Sequence, residues 1–219
     1  MQNLGAIFDF DGVIIDSHDQ HEASWFRLAE ELGKPMTKEL FKESFGMRNE
    51  TILPGLFRWT EPGDTELIAE LGDRKEEIYR EVLEETGIEP LPEVRDLLEQ
   101  LHQAGVPAGI GSSTSRLNIE TVLSVTGMAD LFMAISAAED VTRGKPEPDV
   151  FLKAAEKIGR EPANCVVFED APVGIQAGIA GGMRTVAVGT THPVDSFPEA
   201  SFSVENLEGF KLSQIVELF

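Results

Sequence analysis

The sequence predicts an α/β fold with a parallel sheet, interrupted after its first strand by a run of helices. Three observations lead there. Short apolar runs of β type recur along the chain, and most are apolar on both faces, as buried parallel strands are. Stretches with helical spacing separate them. From about residue 18 to residue 87 the alternation stops and only helical patterns are found.

Taken in order, residues 6–10 form the first apolar run, which leads into Asp11-Gly12-Val13. Residues 23–32 place Trp25, Phe26, Leu28, Ala29 and Leu32 at helical spacing. Residues 65–83 are highly charged but carry Leu67, Ile68, Leu71, Ile78, Val82 and Leu83 in the same rhythm. Pro90-Leu91-Pro92 reads as a linker back into the sheet. Residues 93–103 repeat a helical pattern through Val94, Leu97, Leu98 and Leu101, with Gly105 as a stop signal. Strands follow at 108–112 and, more weakly, at 134–136. A helix at 149–158 is carried by Phe151, Ala154, Ala155 and Ile158, and further strands lie at 165–169 and 185–188. The expected division is an α/β core of residues 1–17 and 90–219 with a helical insertion of residues 18–89, and no internal repeat.

At 219 residues and 42% apolar, the chain is long enough for one sizeable core, or for a core with a smaller inserted domain. The single cysteine, Cys165, has no partner for an intramolecular disulfide, and its apolar flanks predict core packing. Neither a signal peptide nor a run of about 18 apolar residues is visible, so a cytoplasmic enzyme is the expectation. A net charge of −21 disfavours nucleic acid and anionic membrane as partners. It also means that a phosphate-bearing substrate needs positive charge supplied locally. The chain is expected to be a monomer or weak dimer.

Ligands of open α/β sheets gather at the carboxyl ends of the strands. There the sequence places Asp9 and Asp11 after the first strand, Ser112 with Ser113 and Thr114 after the second, and Glu169 and Asp170 after a later one; Lys145 sits in a loop between strands. Each has an ordinary structural reading. Asp-x-Asp-Gly makes turns, Ser112 to Ser115 and Glu169-Asp170 suit helix caps, and Arg116 suits a helix start. Together they have one coherent chemical use. Asp9 and Asp170, with Glu169, offer oxygen ligands to a hard cation such as Mg²⁺. The cation and Lys145 offset the repulsion between a carboxylate nucleophile and a phosphoryl group. Ser112 donates to a phosphoryl oxygen. Asp11 serves as general acid toward the leaving oxygen and then as base toward water.

These residues resemble the haloacid dehalogenase superfamily, in the phosphatase branch with a helical insertion after the first strand. The matching text is Phe8-Asp9-Phe10-Asp11-Gly12-Val13-Ile14-Ile15-Asp16-Ser17, Gly111-Ser112-Ser113-Thr114-Ser115-Arg116, Gly144-Lys145-Pro146-Glu147-Pro148-Asp149, and Phe168-Glu169-Asp170-Ala171 with Gly174, Ala177 and Gly182-Met183. The resemblance spans essentially the whole chain. It implies a Rossmann-like core with a mobile cap, an aspartyl-phosphate at Asp9, acid–base work at Asp11, and phosphate contacts from Ser112 and Lys145. It also implies Mg²⁺ held by Asp9, the Asp11 backbone carbonyl and Asp170. An acid at position 11 argues against the dehalogenase and phosphonate-hydrolysing branches. The implied partner is a small phosphorylated metabolite.

Within that branch the chain is similar to the β-phosphoglucomutase subfamily. His21, Trp25, Arg74 and Lys75 fall where that subfamily carries similar cap residues, and Ser113, Thr114, Arg116, His21, Arg48 and Lys75 are the expected substrate-binding set. Taken individually, Arg74 and Lys75 sit in a charge-rich helix where solvation is the ordinary fate of such side chains, and Trp25 suits a cap core. His18, His102 and His192 show no metal-ligand spacing and receive no role. One departure separates the chain from the mutases. The arginine with which they hold a second phosphate aligns with Asn49, and Arg48 stands one residue earlier, a rotation of about 100° on a helix. The sequence thus predicts a phosphatase, with a sugar-phosphate mutase as the alternative. A non-catalytic phosphate-binding protein would be favoured by replacement of Asp9, Asp11, Lys145 or Asp170, and none is replaced.

Overall fold

A computed structural model describes residues 3–44, 47 and 49–219. It divides into two compact units: Ser17–Gly87, and Ile88–Phe219 together with the chain up to Asp16.

The larger unit is built on six parallel strands among the described residues: β1 (Gly5–Phe8), β2 (Ala108–Gly111), β3 (Ala134–Ser136), β4 (Cys165–Glu169), β5 (Arg184–Val188) and β6 (Phe202–Val204). Their order is β3-β2-β1-β4-β5-β6, all neighbours parallel. This is the doubly wound Rossmann-like arrangement, with the reversal of strand order between β1 and β4. Alternate side chains serve the two faces. Ile7 and Val167 join Phe151, Ala154 and Ile158 in one buried cluster. Phe8, paired in register with Phe168, stacks on it at 4.6 Å and 4°, and Phe168 meets Phe210 edge-on. Cross-strand aromatic pairs of this kind pin the register of the central strands.

The helices of this unit are α5 (Val94–Gln103), α6 (Arg116–Thr126), α7 (Asp149–Lys157), α8 (Pro172–Ala180) and α9 (Leu212–Val216), numbered after four in the insertion. α5 buries Val94, Leu97, Leu98 and Leu101, the apolar positions of its sequence pattern.

The smaller unit is helical: α1 (His18–Leu32), α2 (Lys38–Ser44), the single turn α3 (Asn49–Thr51) and α4 (Thr65–Thr86). α1 stops at Gly33, which takes φ +62, and α4 starts on Asp64, whose side chain accepts from the Leu67 N–H at 3.2 Å. Trp25, Leu28, Phe41, Leu53, Phe57, Trp59, Ile78 and Val82 make a core of its own. Residues Ile52–Leu56 form a π-helical turn closed by Phe57 N–H on the Ile52 carbonyl. The wide turn accommodates Pro54, which has no N–H to contribute.

The structure departs from the sequence reading at several points. β1 ends at Phe8 rather than residue 10, because the Phe10 carbonyl accepts from the Ile14 N–H and the chain turns there. β2 likewise ends at Gly111. The strand β6, with the polar Ser203 at its centre and exposed at the sheet edge, has no apolar run to announce it. Lys75, expected among the substrate-binding residues although solvation is the ordinary fate of a lysine in so charged a helix, is buried at 3% exposure. Arg48 lies outside the described residues.

Candidate active site

Asp9 follows β1 directly, and its N–H still donates to the Phe168 carbonyl of β4 at 2.9 Å, so the nucleophile candidate is tied to the adjoining strand. Glu169 ends β4 and Asp170 follows it. The switch point between β1 and β4 thereby brings together three buried carboxyl groups, Asp9, Glu169 and Asp170, with oxygens within 4.8 Å of one another. At such spacing and an effective dielectric near 20, like charges repel by about 3 to 4 kcal/mol per pair. Lys145 is set among them, its Nζ 2.7 Å from Asp9 Oδ1 and 2.6 Å from Glu169 Oε1.

The titration of these groups reflects that crowding. Burial raises Glu169 to about 7; Lys145 opposes this, and Asp9 and Asp170 add to it. Asp170 is raised for the same first reason, burial, against a hydrogen bond from Thr191. Burial would lower Lys145, but the Asp9 and Glu169 carboxylates outweigh it and hold the ammonium charged. One lysine does not neutralise three carboxylates. The donor set is all oxygen, buried and short of positive charge, which fits a hard divalent cation. The two oxygens of Glu169 are already engaged, Oε1 by Lys145 and Oε2 by the Ala171 N–H at 2.7 Å.

Two glycines make the cluster sterically possible. Gly12 has φ +80, and a Cβ there would stand 2.0 Å from Asp170 Oδ2; a Cβ on Gly174 would stand 1.8 Å from Glu169 Oε1. Either would displace a carboxylate.

The loop after β2 contributes the polar groups. Ser112, buried, accepts the Thr114 N–H at 3.1 Å on its Oγ, which leaves its hydroxyl proton to be donated. Thr114 turns its own hydroxyl to Asp11 Oδ2, at 2.5 Å. Ser113 is exposed. Arg116 is committed elsewhere: its guanidinium donates to Asp140 Oδ2 at 2.5 Å and to the Ile135 carbonyl, and Asp140 also receives Lys157. Of the residues expected to bind substrate, Thr114 and Arg116 thus spend these contacts on the protein itself.

In the helical unit, Lys75 Nζ lies 2.7 Å from His21 Nδ1 and 3.1 Å from Glu76, with the rings of Trp25 and Tyr79 within 5.5 Å. His21 stacks on Tyr79 at 4.2 Å. An ammonium only donates, so His21 accepts at Nδ1; burial, then the Lys75 charge, hold its pKa well below 6.5. Arg74 reaches Glu31, Glu77 and Glu81 at the surface.

Sequence reasoning missed residues 190–192. Thr190 donates to the Gly12 carbonyl, Thr191 to Asp170 Oδ2, and the His192 ring to the Asp170 carbonyl at 3.1 Å. They follow β5, so the rule that selected the other loops applies to them as well; metal-ligand spacing was the wrong test for His192.

A parallel sheet with three buried carboxyl groups and a lysine at its switch point defines a class of protein: an α/β enzyme with its charged groups gathered at the carboxyl ends of the strands. A family model described as haloacid dehalogenase-like hydrolase matches residues 5–182, and the chain belongs to that family. Hexitol phosphatase A of Escherichia coli is 33% identical over 208 residues, covering 95% of this chain and 93% of the relative. The chloroplastic 5-amino-6-(5-phospho-D-ribitylamino)uracil phosphatase of Arabidopsis thaliana is 31% identical over 98% of this chain, which spans only 57% of that relative's length. Among solved structures, β-phosphoglucomutase from Clostridium difficile superposes with a TM-score of 0.80 at 26% identity, covering 98% of this chain and 96% of that one.

Proposed function

We propose that this chain is a Mg²⁺-dependent phosphatase of a small phosphorylated metabolite, a sugar phosphate by class, working through an aspartyl-phosphate at Asp9. The observation that carries the reading is the buried Asp9, Glu169, Asp170 cluster around Lys145 at the switch point. The Asp9 and Asp170 carboxylates and the Asp11 backbone carbonyl would hold the metal, while Glu169, bonded to Lys145, orients it. Bound Mg²⁺ supplies the positive charge that lets carboxylate and phosphate approach each other.

Asp9 attacks phosphorus, and the bond from phosphorus to the leaving oxygen breaks as Asp11 gives that oxygen a proton. Water then attacks the phospho-Asp9 group, passing a proton to Asp11, and inorganic phosphate leaves. Thr114 fixes the Asp11 carboxyl for both transfers. Ser112 donates its hydroxyl to a phosphoryl oxygen, the Ser113 loop backs it, and Lys145 balances the charge that develops. Arg116 supports the loop through Asp140. In the helical cap, residues 18–89 in our division, His21 and Lys75 contribute to substrate choice. The working place is the cytoplasm, the quaternary state a monomer or weak dimer, and neither nucleic acid nor membrane is a partner. Among the described residues no helix is long and apolar enough to cross a membrane.

The mutase alternative has one observation in its favour, the similarity to β-phosphoglucomutase. Against it stands Asn49, a neutral side chain where a second phosphate needs a forked cation. A phosphate-release screen over phosphorylated metabolites with Mg²⁺, run beside a β-glucose-1-phosphate isomerisation assay with a bisphosphate primer, tests both. Phosphate release should outpace isomerisation; isomerisation greatly in excess overturns the phosphatase reading.

A further inference from the structure

The run Thr190-Thr191-His192 makes three hydrogen bonds, none of them to its own segment. Thr190 holds the Gly12 carbonyl in the turn that follows Asp9; Thr191 holds the Asp170 carboxylate; His192 holds the Asp170 carbonyl. A carbonyl only accepts, so His192 carries its proton on Nδ1 for this bond. The run thus ties the loop after β1 to the loop after β4, the two loops that supply the carboxylates. It is anchored at both ends. Gly189 N–H donates to the Val204 carbonyl of β6 at 2.8 Å, and the His192 ring sits edge-on to the buried Phe197. The fit is close: a Cβ on Gly12 would meet Asp170 Oδ2 at 2.0 Å and Thr191 Oγ1 at 2.9 Å.

We infer that Thr191 is a positioning residue for Asp170, setting the affinity of the acidic cluster for its divalent cation, with Thr190 and His192 holding the two loops in register. The inference rests on the metal reading above. A carboxylate beside two others turns away from them unless something fixes its plane. A hydroxyl donated to Oδ2 does so at no cost in charge. Partners of this kind around metal ligands typically contribute 10- to 100-fold in affinity.

The test is calorimetric titration of the full chain with Mg²⁺, without substrate. Thr191→Val removes the hydroxyl at nearly constant volume, and Thr191→Ser keeps it; Thr191→Ala replaces the valine variant if that one melts early. Mg²⁺ affinity should fall about 10- to 100-fold in Thr191→Val and stay close to wild type in Thr191→Ser. In turnover, the KM for Mg²⁺ should rise by the same factor while kcat at saturating Mg²⁺ recovers. Asp170→Asn should abolish the binding isotherm. If Asp170→Asn loses Mg²⁺ but Thr191→Val binds like wild type, or if Thr191→Ser is as impaired as Thr191→Val, the inference is overturned and the metal reading stands. If the wild-type chain binds no Mg²⁺, or Asp170→Asn binds normally, the metal reading fails and the inference falls with it.

Discussion

The two units bury charge in opposite ways. At the switch point of the sheet, Asp9, Glu169 and Asp170 crowd around a single lysine, and burial lifts Glu169 to about 7 and pushes Asp170 upward. In the helical unit, the buried Lys75 has a neutral imidazole, a carboxylate and two aromatic faces around it. The first arrangement holds three carboxyl groups against one lysine; in the second, one lysine meets one carboxylate, a neutral imidazole and two aromatic rings. A buried charge therefore marks a site through the deficit around it rather than through burial alone.

The largest effect that bears on this contrast is chemical. Asp9→Asn should lower kcat by about 10³-fold or more while leaving the fold intact, since a neutral amide is no nucleophile. Near-normal turnover with an unchanged circular dichroism spectrum would remove Asp9 from the centre of the site.

Next comes the lysine that faces the deficit. Lys145→Met leaves the three carboxylates uncompensated and should cost about 3 to 5 kcal/mol in metal-free protein. Lys75→Met, set among aromatic rings, should cost less. Urea unfolding of both variants checks the order, and equal losses would erase the distinction between the two units.

Metal and pH address the same deficit. EDTA should abolish activity and Mg²⁺ restore it, with Ca²⁺ bound but supporting little turnover because of its looser coordination. Mg²⁺ at a hundred times its Kd should add about 2.7 kcal/mol to stability. In EDTA, Glu169 has a folded pKa near 7 against 4.5 for the ordinary carboxyl. The folded state then holds the proton more tightly, so this contribution is complete below pH 4.5 and is lost as pH rises through 7, about 3 kcal/mol in all. Asp170 adds in the same direction. A pH dependence of metal-free stability across pH 5 to 7 that is the same in Glu169→Gln as in wild type would contradict the crowding of these carboxyls.

The smallest effect belongs to the helical unit, and its sign is reversed. His21 is held neutral, its folded pKa depressed, so its contribution is present above pH 6.5 and lost as pH falls below it. Amide protection along α1 and α4, corrected for the intrinsic exchange rate at each pH, should fall on acidification from pH 7 to pH 5 and be less pH-dependent in His21→Phe. Identical profiles for the two proteins would mean that His21 titrates as though exposed.

Much of this molecule was legible in its sequence. Apolar runs such as residues 165–169 and helical spacing such as Val94, Leu97, Leu98 and Leu101 announce the sheet and its helices, because buried elements leave a periodic signal. Asp9, Lys145 and Asp170, which the structure gathers in one cluster, can be picked out as candidates because acids at strand ends and a lysine in a loop suit one chemistry. Tertiary structure alone decided the rest. That Thr191 reaches Asp170, that Thr114 serves Asp11 and that Arg116 is taken up by Asp140 depend on which loops lie side by side, and hydroxyls and surface charges carry no periodic mark. The burial of Lys75 was hidden for a related reason. Residue type specifies the charge, but the packing of α1 against α4 determines whether water or Trp25, Tyr79 and His21 surround it.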